Sequence, residues 1–108
     1  MCFFRDLDST FTSLGCWKDV SSARAIDGNE GRFGGKGSKV AIQECFERAK
    51  DLGHDVFAVQ DGNECFTTPT AEETYKIYGT SNGCSASGTG GHNCQDVYKI
   101  GKKHIEQA

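Results

Sequence analysis

Residues 38–65, SKVAIQECFERAKDLGHDVFAVQDGNEC, decide the fold of this chain. Apolar residues at Ile42, Cys45, Phe46, Ala49 and Leu52 recur at the spacing that lays a stripe along one helix face, which predicts a helix over 38–52. Ser38 suits its start, where a hydroxyl accepts from an otherwise free backbone N–H, and Gly53 suits the left-handed position that ends it. Val56, Phe57, Ala58 and Val59 are too few and too β-prone for another helix, so they predict a buried strand. With the helix packed on the sheet that holds this strand, Cys45 is well placed to reach Cys65.

Around this unit the chain is short, 108 residues, enough for one domain with a modest core. A net charge of -3 and a pI near 5.5 leave no basic face for a phosphate backbone, and nucleic acid is not an expected partner. No apolar run approaches the roughly 20 residues that span a bilayer. The opening MCFFRDLDSTF is interrupted by acids before a signal-peptide core can develop, so export has to be inferred from other residues.

The cysteines supply that inference. Cys2, Cys16, Cys45, Cys65, Cys84 and Cys94 are spread along the whole chain, with no C-x-x-C pair and none of the clustering of a structural zinc site. An even number so spaced reads as three disulfides in a secreted protein, with no metal and no cofactor expected. Spacing alone leaves 15 connectivities open.

The remaining segments divide into an N-terminal arm at 1–13, a body at 14–100 and a tail at 101–108. The arm carries Phe3, Phe4 and Phe11. Residues 14–18 predict a strand with Leu14 and Cys16 on one side and Trp17 on the other, and Arg24, Ala25 and Ile26 predict a brief second strand. GGKGS at 34–38 lacks the spacing of a phosphate-binding loop. The tetrapeptide DGNE, at 27–30 and again at 61–64, lacks the alternating ligands of a calcium loop and reads as a tight turn. A second, shorter helix is expected over 71–78, with Thr70 and Glu73 at capping-box spacing. A polar loop follows at 80–93, and residues 95–100 predict a half-buried edge or hairpin strand. His54, His92 and His104 lie in no hydrolase or metalloprotease motif, so catalysis is not expected.

GCWKD at 15–19, Arg24-Ala25-Ile26, and AIQECFERAKDLGHDVFAVQDGNEC at 41–65 together resemble the WSC and PAN/apple-like group of extracellular cysteine-rich domains. AEETYKIYGTSNGC, GTGGHN and DVYKI downstream are similar to a variety that recurs in matrix and multidomain proteins of marine invertebrates. The resemblance implies an α+β fold, a small antiparallel sheet with the 38–52 helix across it. It also implies pairing of Cys45 with Cys65 and of Cys16 with Cys84, leaving Cys2 to pair with Cys94 and clamp the arm. It further implies recognition of a carbohydrate or an extracellular glycoprotein rather than chemistry. For such a ligand Trp17, Tyr75 and Tyr78 are the expected stacking faces, and Asp61, Asn63, Glu64 and Asn82 the expected hydrogen-bonding groups. The alternative is a self-associating, protein-binding or toxin-like effector module that works through the phenylalanine-rich arm.

Overall fold

In the computed structural model, which describes residues 10–101, Val56–Gln60 is buried at all five positions. It is the central strand of five. In chain order the elements are β1 (Thr10–Lys18), β2 (Asn29–Arg32), α1 (Lys39–Leu52), β3 (Val56–Gln60), β4 (Glu64–Thr67), α2 (Ala71–Thr74) and β5 (Cys94–Gly101). Across the sheet the order is β1-β5-β3-β4-β2, and every neighbouring pair is antiparallel. Among the described residues no helix is long and apolar enough to cross a membrane.

Both faces of the sheet are covered, which is why β3 reads as a continuous apolar run rather than an alternating one. Phe57 and Val59 point to the side where Cys45, Phe46 and Ala49 of α1 pack, joined by Cys65, Tyr98 and Ile100. Val56 and Ala58 point the other way, into a second cluster with Ile26, Phe66, Ala71 and Val97. Burying one side chain of the size of Phe57 stabilises the fold by roughly 1.5–3 kcal/mol, so the two clusters carry most of the driving force.

The helix forms as its sequence predicts. The Ser38 hydroxyl accepts from the Ala41 N–H, and Gly53 stops the helix at φ 77° while its N–H donates back to Ala49 and Lys50. Cys45, Phe46 and Ala49 are buried and Ile42 is partly buried, but Leu52, expected on the same stripe, is 40% exposed. The last turn has left the sheet, and Ala41 takes the buried position at the other end of the stripe.

Several expectations are corrected. Arg24, Ala25 and Ile26 form no strand; the second strand lies in the glycine-rich stretch, as β2 at the sheet edge. The turn at 61–64 runs directly into β4, a strand too short to show a period. Residues 95–100 belong to β5, which lies between β1 and β3 rather than at an edge. The second helix is only Ala71–Thr74, continued to Tyr78 by turns, and the Thr70 side chain makes no capping bond. The boundary expected at 13/14 falls inside β1, where Phe11 packs against Phe46, Phe57 and Tyr98 with ring centroids 4.9, 5.5 and 5.4 Å away. Leu14 and Trp17 share a face instead of opposing each other, because a bulge between Ser13 and Gly15 shifts the register. Gly15 accommodates that bulge at φ 104°, a backbone region that side chains disfavour.

Two of the three expected disulfides are present, Cys45–Cys65 and Cys16–Cys84. Cys94 is buried and has no disulfide partner among the described residues; Cys2, its expected partner, lies outside them, as do Phe3 and Phe4.

Candidate functional site

The antiparallel registers line up one residue from each strand in a single row. Trp17 faces Gln95, Gln95 faces Gln60, Gln60 faces Glu64, and Glu64 faces Arg32. Residues directly opposite in a sheet project from the same face, so this row sets an aromatic ring and four planar polar groups side by side. At about 4.8 Å per strand it spans ~19 Å.

Over the centre of the row the 19–28 segment folds back and is fastened by a buried carboxylate. Asp19 accepts from the Ala25 N–H at 2.8 Å, from Arg24 Nη1 at 2.8 Å and from the Gln60 amide nitrogen at 2.8 Å. Gln60 completes the triangle by accepting from Arg24 Nη1 at 3.2 Å. Burial pushes the Asp19 pKa up, but the hydrogen bonds from Gln60, Ala25 and Arg24, with the Arg24 charge, outweigh it and hold the group below the ordinary carboxylate range. The guanidinium of Arg24 lies 4.9 Å above the Phe66 ring, which fixes its plane.

A second network fixes Arg32. Its Nη2 donates to Asp61 Oδ2 at 2.9 Å and lies 3.6 Å from Glu64 Oε1, while Nη1 donates to Asn63 Oδ1 at 2.6 Å. The Asn63 amide in turn donates to the Gly34 carbonyl at 2.8 Å, and Asn29 donates to Glu64 Oε2 at 2.7 Å. The Arg32 hydrogen bond, reinforced by the charge of Lys36, lowers the pKa of Asp61.

Between the two networks lies an open groove of about 290 Å³, lined by Arg24, Arg32, Gln60, Asp61, Glu64 and His92, with Ser21 and Asn93 at its rim. Two arginines face two carboxylates, so the groove carries both charges in balance. Arg24, Arg32, Gln60, Asp61 and Glu64 are already held by partners, so little of their rotamer entropy remains to be lost when a ligand binds.

The structure brings some of the expected site residues together and separates others. Asp61 and Glu64 line the groove, whereas Asn63 is buried behind it as the support of Arg32. Trp17 ends the same sheet row. Its ring meets Tyr75 edge-on at 5.0 Å, and its Nε1–H donates to the Leu14 carbonyl at 2.9 Å. Trp17 and Tyr75 are half-buried and pack on the second core cluster, so packing claims much of their surface. The Tyr78 hydroxyl donates to the Ala23 carbonyl and ties the α2 segment to the 19–28 loop. Asn82 is exposed in the 80–93 loop and is not part of the groove lining.

Reading the sequence missed Asp19, Arg24, Arg32, Gln60, His92 and Asn93. Asp19 and Gln60 are 41 residues apart, and nothing local joins them. One signal was present: an Arg-Ala-Ile run in a polar loop hints that the arginine is anchored.

A comparison with protein-family models finds no match, and a comparison with curated proteins finds none either.

Proposed function

We propose that this chain is a secreted, non-catalytic recognition domain of WSC or PAN/apple-like character that binds the hydroxyl groups of a neutral glycan in the groove. The observation that carries this reading is the five-strand row from Trp17 to Arg32, with the groove over Gln60, Glu64 and Arg32. Sugars are recognised by planar polar side chains that donate and accept together, and Arg24, Arg32, Asp61, Glu64 and His92 offer both. The balance of two arginines against two acids favours a neutral ligand over a sulfated or uronic one, because the groove carries no excess of positive charge to attract an anion. Asp61, kept ionised by Arg32, serves as an acceptor and is ill suited to donate a proton, which supports binding over hydrolysis. The two disulfides support an oxidising compartment.

A glycan array probed with the oxidised chain tests the proposal. Wild type should bind neutral glycans with or without a calcium chelator, and Arg24→Ala or His92→Ala should reduce the signal at least about tenfold, a loss of ~1.4 kcal/mol. Asn82→Ala should bind as wild type does. Binding unchanged in both groove variants, or confined to acidic glycans, would overturn the reading.

A further inference from the structure

Beside the groove-lining residues His92 and Asn93, three cysteines converge from three separate segments. Cys16 comes from β1, Cys84 from the 80–93 loop and Cys94 from the start of β5, and their sulfurs all lie within 4.8 Å of one another. Cys16 and Cys84 are bridged, so the Cys94 thiol stands against a disulfide. Backbone hydrogen bonds hold the segments in place: Ser81 N–H to the Cys16 carbonyl at 3.0 Å, Ser85 N–H to Gly90 at 3.0 Å, and Gly91 N–H to Cys94 at 3.1 Å.

The chamber around Cys94 is tightly built. A Cβ on Gly83 would stand 2.9 Å from the Cys94 sulfur, and one on Gly91 would stand 3.1 Å from that sulfur and 2.3 Å from the Gly83 carbonyl oxygen. Only glycine fits at either place. Burial, with the nearby Asp96 charge, pushes the Cys94 thiol up, so the sulfur is a protonated thiol in the oxidised chain.

We propose that, once the Cys16–Cys84 bridge is reduced, Cys16, Cys84 and Cys94 form a three-thiolate site for one zinc-class divalent ion. Four ligands at a Zn–S distance of about 2.3 Å in a tetrahedron stand ~3.8 Å apart, so the present spacing closes onto an ion with shifts of about 1 Å. The bridged pair opens to that spacing by side-chain rotation. Cys16 and Cys84 are only half-buried, which leaves the fourth position open to solvent. The chemistry balances with a trialkylphosphine and water as reductant: the disulfide becomes two thiols and the phosphine takes up oxygen. The ion then displaces three thiol protons to solvent. Metal and disulfide are mutually exclusive, so the site belongs to the reduced form of the chain.

The test uses the full chain, reduced anaerobically with a trialkylphosphine and titrated with Co²⁺ alone. Thiolate-to-cobalt charge-transfer absorption should saturate at one ion per chain and be displaced by Zn²⁺. It should be lost in Cys94→Ser and retained in Cys2→Ser and in Cys45→Ser. Absorption that survives Cys94→Ser, is lost in Cys2→Ser or Cys45→Ser, or never develops overturns the proposal. Should Cys94→Ser fail to fold, alkylation of the wild type read by peptide mass mapping decides. Bound Zn²⁺ should protect Cys16, Cys84 and Cys94 together, and a labelling pattern that Zn²⁺ does not change refutes the site.

Discussion

Replacing Asp19 by alanine removes the one acceptor that three donors share. The carboxylate receives Ala25 N–H, Arg24 Nη1 and the Gln60 amide, each at 2.8 Å, and its side chain is 1% exposed. Hydrogen bonds to a charged group contribute about 1.5–3 kcal/mol each, and removing one partner of a buried pair costs about 3–5 kcal/mol. The Arg24 side chain is 22% exposed and regains some water, which places Asp19→Ala near the lower end, ~3 kcal/mol. Urea unfolding followed by the fluorescence of Trp17 measures it directly. For a domain of this size the same loss should lower Tm by more than about 10 °C. The sign of the pH dependence follows from the depressed pKa of Asp19. Its stabilisation is complete above the unfolded carboxylate value of about 4 and disappears as pH falls through the lower folded value. The gap between wild type and Asp19→Asn should therefore be flat from neutral to mildly acidic pH and narrow in strong acid. A loss under about 1 kcal/mol for Asp19→Ala, or a gap that widens on acidification, would refute the buried hub.

Three further outcomes follow from other parts of the fold. The Gln95 side chain is fully buried, and neither its amide nitrogen nor its oxygen has a hydrogen-bond partner among the described residues, so Gln95→Met should raise stability by ~1 kcal/mol or more in urea unfolding. Removing the Cys16–Cys84 bridge, which joins residues 68 positions apart, by Cys16→Ala with Cys84→Ala should cost about 4 kcal/mol through the unfolded chain. Burial, with the nearby Asp96 charge, pushes the Tyr98 hydroxyl up to about 12. A spectrophotometric titration should show a late tyrosine step that Tyr98→Phe removes, and the accompanying stability should be in place below about pH 10 and be lost as pH rises through the folded value.

What could be read in advance follows the range of each signal. The helix and the central strand were legible because Ile42, Cys45, Phe46 and Ala49 repeat within a few residues and because residues 56–59 are apolar on both faces. The edge strand β2, with the sequence NEGR, carries no apolar alternation, since it is held by backbone pairing to β4 and by polar side-chain bonds of Asn29, Glu30 and Arg32. The bulge at Gly15 reversed the expected side of Trp17, and no pattern in the five flanking residues announces a register shift. At the site, Asp61 and Glu64 stood out as an acidic turn, yet their orientation depends on Arg32, 29 residues earlier, and on a strand pairing absent from any local window. Cys94 counted as one of six cysteines. Only the folded chain shows it packed against the Cys16–Cys84 bridge.

The most direct test of the account is nuclear magnetic resonance of the oxidised chain titrated with a panel of neutral methyl hexosides and N-acetylhexosaminides. The account predicts shifts confined to the Trp17 indole N–H, the Gln60 amide, Arg24, Arg32 and His92, with little change in α1. Shifts gathered around Asn82 and residues 80–88, or none across the panel, would contradict it.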